Sequence, residues 1–250
     1  APHRAIKARQ GDSCTPPSLH RIMRLTSLAA VALLAALCSG GASLASAEEP
    51  YVVELDVVLS KKKGKKPAGG VVKIEVHPDW APVGAARFKE IVGAGIWDWN
   101  RFFRVVPDFI VQWGIPGDKA LTGVWQSKRI PDDPVLETNA RGTITFATSG
   151  ANSRTSQVFI NFKDNAMLDK QGFAPFGKVI EGMDIVDAIY DGHGGDPDQG
   201  QIQAKGNQYL RKEFPKLSYI RRARLPGQMP SAVDSSEETT EESPEDKDEM

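Results

Sequence analysis

Two short runs, each pairing a polar group with apolar neighbours, set the pattern along this chain. Phe103 to Val106 and Phe109 to Gln112 are rich in aromatic and β-branched residues, and Pro107 and Asp108 between them form a turn signal. Strand period two puts Ile110 and Gln112 on one face. The run from Ser156 to Phe162 repeats the device, with Gln157 and Phe159 on one face and Val158, Ile160 and Phe162 on the other. Each strand therefore shows an amide beside an apolar group. Arg104 is the one cation in the first run, and by its own neighbourhood it reads more readily as a solvated strand residue than as a functional one.

The remaining pattern is mostly strand. Tyr51 to Ser60 and Val71 to Val76 alternate as two strands, and Gly142 to Thr148, Phe173 to Ile180 and Leu217 to Leu225 as three more. Pro82 to Val92 has helical spacing, with Asp79 near its start and Gly93 and Gly95 after its end. Met183 to Tyr190 reads as a short amphipathic helix closed by Gly192. Between them, Trp97 and Trp99 read as packing residues. The stretch from Gln112 to Gly142, with Gly114, Pro116, Gly117, Gly123, Pro131 and Pro134, is too punctuated for a helix or central strand, and Ser149 to Thr155 is a polar turn. Asp196 and Asp198 lack the glutamate that a calcium loop needs and read as plain loop. Many short strands and two helices predict a closed antiparallel barrel or a sandwich.

Charge changes this picture only at the ends. The formal net charge of -1 hides roughly +4 over residues 1–47, about +3 in the middle and roughly -8 from Asp234 to Met250. No basic surface suited to nucleic acid follows from that distribution. Lys61 to Lys66 carries five lysines in a hairpin loop, which is either a solvated loop or a contact for acidic partners or anionic lipid. Leu25 to Leu44 is apolar and rich in small residues, follows Arg21 and Arg24, and precedes Ala45, Ser46 and Ala47, as in a secretory signal with its cleavage site. Its strongly apolar centre is nearer a dozen residues than the roughly 20 of a membrane span, so no stable anchor is expected after cleavage. Met23 is a candidate true start. Export to the endoplasmic reticulum lumen or beyond is expected, with an organelle lumen reached by a bipartite presequence as the alternative. Cys14 and Cys38 both precede the cleavage site, leaving a mature domain without disulfides. Residues 227–250, acidic and without aromatics, are expected to be a disordered tail; Ser235 and Ser243 each have Glu two places on, and the ending Lys-Asp-Glu-Met is not a Lys-Asp-Glu-Leu retrieval signal.

The motifs Phe102 to Gln112, Gly142 to Gly150, Ser156 to Ile160 and Phe176 to Met183 resemble, in order and spacing, the successive motifs of cyclophilins, over about Tyr51 to Leu225. Gly206-Asn207, Tyr209-Leu210 and Phe214 to Leu217 resemble a bacterial-type variant of that family. The resemblance implies a mainly β fold, a closed eight-stranded antiparallel barrel capped by two α-helices over residues 48–226, with the substrate groove on its outer wall. It implies peptidyl-prolyl cis-trans isomerisation of client polypeptides, without cofactor or metal, by a monomer. Arg104 and Gln112 would be catalytic. Phe109, Ile110, Phe159 and Leu168 would form the proline slot, Ala147, Thr148 and Ser149 would pair with the substrate backbone, and Gln157 would line the groove. Met167 and Phe173 stand where many members have Trp and His, which implies weak cyclosporin binding. A non-catalytic proline-peptide module using the same groove is the rival reading.

Overall fold

The computed structural model describes residues 48–60 and 68–227. The signal segment, the Lys61 to Lys66 loop and the acidic tail lie outside the described residues.

Alternation builds the sheet. In β1 (Tyr51–Val58) and β2 (Gly69–Val76), Val53, Leu55, Val57, Val72, Ile74 and Val76 point to one side and are buried, while their neighbours face outward. The other strands are β3 (Asn100–Arg101), β4 (Arg104–Val106), β5 (Ile110–Trp113), β6 (Thr143–Phe146), β7 (Val158–Asn161), β8 (Pro175–Glu181) and β9 (Tyr219–Arg224). They form one antiparallel sheet in the order β3-β9-β1-β2-β8-β6-β7-β5-β4. Strands β5, β6 and β7 are buried on both faces, because the outer face there is itself covered.

Two parts of the expected architecture are corrected. Among the described residues the sheet has nine strands, not eight, and no ladder closes it. The cause is Phe102 and Phe103, which interrupt one sequence run: Phe102 sinks into the main core, Phe103 into a second one, and the flanking pieces become opposite ends of the sheet. The helices also outnumber the expected two, with α1 (Pro82–Gly93), α2 (Lys119–Ser127), α3 (Met183–Asp187), α4 (Gln199–Lys205) and α5 (Asn207–Glu213) among the described residues.

The additional helices have local causes. Asp118 caps α2, its carboxylate accepting from the Ala120 N–H at 2.8 Å. Asp198, in the stretch read as loop, accepts from the Gln201 N–H at 2.7 Å and starts α4. Gly206 joins α4 to α5 at φ 60, where any Cβ would stand 2.0 Å from the Gly117 carbonyl oxygen. Asp79 does not cap α1; the distant Asp133 does, accepting from the Val83 and Gly84 N–H groups at 3.0 and 2.8 Å. Helix α3 ends on Ala188, short of Gly192.

The main core is aromatic at its centre. Phe88 of α1 packs on Trp97 and Phe176 at 5.2 and 4.9 Å, and Trp113 on Trp97 and Phe102 at 5.5 and 5.4 Å. Trp97 is therefore a packing residue, and Trp99 stacks on Tyr219. The second core joins Phe103, Ile115, Ile202, Leu210 and Leu217, and so holds α4 and α5 to the start of β4. No helix among the described residues is long and apolar enough to cross a membrane.

Candidate active site

The hairpin of β4 and β5 presents the cation. Val105 turns into the core, which leaves Arg104 on the opposite face, and the turn closes with Asp108 at φ 55 and the Phe109 N–H on the Val106 carbonyl at 3.1 Å. Antiparallel register sets Arg104 opposite Gln112, and Gln112 opposite Phe159. Arg104 Nη1 donates to Gln112 Oε1 at 3.1 Å, and Gln112 Nε2 donates to Gln157 Oε1 at 2.9 Å. A half-buried guanidinium is thus held by a relay of two amides. On its other flank Gly195 lies against the Arg104 stem, where an added methyl would stand 3.8 Å from Cγ, and the Val105 N–H donates to the Gly194 carbonyl at 2.8 Å.

Beside the cation is an apolar slot. Ile110, Phe159 and Leu168 are buried together, with Phe109, Ala147 and Phe173 packed against them and the Phe159 and Phe173 rings edge-on at 5.6 Å. Leu168 sits on a 3-10 turn, Ala166–Gln171, that ends on Gly172 at φ 83. Met167, on the same turn, is 53% exposed and stands at the rim. Six of the predicted apolar positions therefore share one cluster, and the seventh borders it.

The third side is a polar loop. The Ala147 N–H continues the ladder to the Gln157 carbonyl at 2.9 Å. Thr148 Oγ1 and Ser153 Oγ lie 2.8 Å apart, and the Ser149 N–H donates to Ser153 Oγ at 2.9 Å. That amide is already engaged inside the loop. The loop is anchored by Asn152, which exchanges two bonds with Asp132, and by buried Arg154, which meets Asp133 at 3.1 Å.

Behind the slot lies a set of residues that the sequence reading did not single out. Asn165 Nδ2 donates to the Phe109 carbonyl at 3.0 Å and to Asn161 Oδ1 at 2.8 Å. Asn161 Nδ2 reaches Thr143 Oγ1 at 2.9 Å, and Thr145 Oγ1 donates to Asn139 Oδ1 at 2.9 Å. Asn139 Nδ2 donates to the Phe173 carbonyl at 2.8 Å and to Asp169 Oδ1 at 2.7 Å. Burial pushes the Asp169 carboxyl up, but bonds from the Asn139 side chain, Thr138 and the Asn139 N–H outweigh it and hold the carboxyl below its usual range. The available signal was Asn161, an amide two residues beyond Phe159 on the same face.

Elsewhere a cleft of about 180 Å³, on the Val105 side of β4, is lined by Val105, Pro107, Phe162 and Ile189 with Asp108, Asp187 and Asp191. None of the predicted site residues lines it. Among the described residues, no three His, Cys, Asp or Glu gather at metal-binding distance.

The arrangement offers a fixed positive donor beside a small apolar cluster. Such a pair can hold an X-Pro segment and favour an amide whose nitrogen lone pair has been freed by twisting.

The family model for cyclophilin type peptidyl-prolyl cis-trans isomerase/CLD matches residues 63–209. A probable peptidyl-prolyl cis-trans isomerase of Brucella abortus is 34% identical over 179 residues, covering 67% of this chain and 86% of the relative. Peptidyl-prolyl cis-trans isomerase A of Dickeya dadantii is 38% identical over 128 residues, 49% of this chain and 67% of the relative. Among solved structures, a cyclophilin type peptidyl-prolyl cis-trans isomerase of Cryptosporidium parvum is similar with a TM-score of 0.51 at 18% identity, covering 72% of this chain and all of that one. At that identity the structural likeness speaks for the fold.

Proposed function

The chain belongs to the cyclophilin type peptidyl-prolyl cis-trans isomerase family, and on that premise we propose that Arg104 accelerates X-Pro rotation by donating to the prolyl nitrogen of the half-turned bond. The protein is an isomerase, and its substrates are proline-containing polypeptides. The barrier it faces is about 18 to 20 kcal/mol, and the two isomers differ by only about 0.5 to 1 kcal/mol, so the enzyme has to stabilise the twisted state and nothing else.

The carrying observation is the relay from Arg104 through Gln112 to Gln157 beside the Phe109, Ile110, Phe159 and Leu168 slot. Gln112 Oε1 orients the guanidinium, one Nε2 hydrogen goes to Gln157, and the second is available to the substrate carbonyl. The slot grips the proline ring. Ala147, Thr148 and Ser149 flank the peptide backbone through the groups that the loop leaves uncommitted. One or two charge-assisted bonds that strengthen on twisting contribute on the order of 3 to 5 kcal/mol, since each tenfold in rate takes about 1.4 kcal/mol off the barrier.

A protease-coupled assay on an Ala-Pro peptide tests this. Arg104→Ala should lose about a hundredfold to a thousandfold in kcat/KM; an unchanged rate would leave only a proline-binding module.

Three further properties belong to the same reading. Cyclosporin binds weakly because Met167, largely exposed, replaces a flat indole at the rim and Phe173 fills the slot's far wall; tight binding in a fluorescence titration would contradict this. The chain is exported, on the strength of the apolar segment before Ala45 to Ala47, and sequencing the mature N-terminus decides it. It acts as a monomer, which sedimentation analysis checks.

A further inference from the structure

We infer that Asn165 is the positioning residue of the proline slot, its side chain tying the Phe109 wall to the strand that carries Phe159 while its backbone carbonyl holds the Leu168 turn. The inference rests on the isomerase reading and adds to it the group that sets the slot's width.

The two walls come from distant parts of the chain. Phe109 stands at the end of the β4–β5 hairpin, whereas Leu168 stands on the 3-10 turn Ala166–Gln171. Neither wall is fixed by the strand ladder alone. Asn165 meets both: its Nδ2 donates to the Phe109 carbonyl at 3.0 Å, and its own carbonyl accepts from the Leu168 N–H at 2.8 Å. The second Nδ2 hydrogen goes to Asn161 Oδ1 at 2.8 Å, on the strand that carries Phe159, and the Asn165 N–H goes to the Asn139 carbonyl at 2.8 Å. Asn139 in turn holds the Phe173 carbonyl at 2.8 Å. The side chain of this fully buried residue thus fixes the Phe109 carbonyl and Asn161, two residues from Phe159, while its backbone reaches Leu168 directly and Phe173 by way of Asn139.

Only a carboxamide fits these demands. Both acceptors facing Nδ2 are oxygens, so the group there must donate twice, and an isosteric carboxylate would face two lone pairs. The Arg104 relay shares no atom with this network. Loss of Asn165 should consequently loosen proline binding and leave the rotation step of bound substrate nearly intact.

The test compares Asn165→Ala and the volume-preserving Asn165→Asp with Val53→Ala, a fully buried core position on β1 that β2, β8 and β6 separate from β7. KM for an Ala-Pro peptide should rise about tenfold in both Asn165 variants, the size of one lost buried hydrogen bond, with kcat within about threefold. Val53→Ala should lower Tm and leave KM unchanged. In wild-type protein the Asn165 side-chain NH2 resonances should shift when that peptide is titrated in. The inference is overturned if KM stays within twofold, if KM and kcat change in step, or if the NH2 resonances do not respond. Should the variants fail to fold, the wild-type titration alone decides. Wild-type protein that binds the peptide without isomerising it would remove the enzymatic reading while leaving the slot argument to the binding and resonance data.

Discussion

Arg104 is a permanent charge placed half in water and half against a greasy wall, and its usefulness depends on how firmly it is aimed. Gln112 aims it, and Gln157 aims Gln112. Gln157→Leu should lower kcat/KM about tenfold without unfolding the protein, as the coupled assay can check. Asp169 gives the slot its acid limit. Its folded pKa lies below the ordinary value, so the stability it contributes is fully present above the unfolded pKa of about 3.9 and is lost as pH falls through the folded value. Urea midpoints measured across that window should fall in wild type and flatten in Asp169→Asn. At this scale Gln112 and Gln157 stood out as amides inside apolar strands, whereas Arg104 by itself read as a solvated strand residue and was singled out by the family resemblance. Asn139, Asn161 and Asn165 were not. An amide's partners are fixed by tertiary proximity, and Asn139 meets Asp169 and Phe173 from some thirty residues away.

Elements obey the same division. Strands β1 and β2 follow from alternation, since each buries one face, whereas β5 and β7 show as aromatic and β-branched runs and are buried on both faces. The start of α1 was legible as Pro82, but its cap was not, because the acceptor arrives from Asp133 far along the chain. That carboxylate also meets Arg154, whose side chain is as deeply buried as its own. Asp133→Ala should cost about 3 kcal/mol, leaving buried Arg154 with one carboxylate, Asp132 at 3.1 Å, in place of two and freeing two helical N–H groups, and denaturant titration measures it. Helices α2 and α4 were missed for a related reason. Gly123 and Gly200 lie inside them and read as breaks, yet Asp118 and Asp198 cap their starts and the helices run through those glycines. Gly114 has its own necessity: at φ 111, a Cβ would stand 2.2 Å from the Ser156 carbonyl oxygen, beside Gln157.

For the whole molecule, mainly β architecture was readable from many short strands, while the outer-wall groove is what the resemblance in the order of the motifs implied. The strand count and the closure were not, because nothing local says that Phe102 and Phe103 will send the chain from one end of the sheet to the other. Phe103 also anchors the second core, so α4 and α5 pack behind the start of the strand that carries Arg104. Leu210→Ala should destabilise by about 2 to 5 kcal/mol, seen as a lower urea midpoint. The account as a whole depends on one separation, between gripping the proline and easing its rotation. NMR exchange spectroscopy on an Ala-Pro peptide reads both at once, giving the dissociation constant and the interconversion rate on the enzyme. Arg104→Ala should bind the peptide within about threefold of wild type while its on-enzyme interconversion slows by about a hundredfold to a thousandfold. Interconversion at the wild-type rate in that variant would contradict the account.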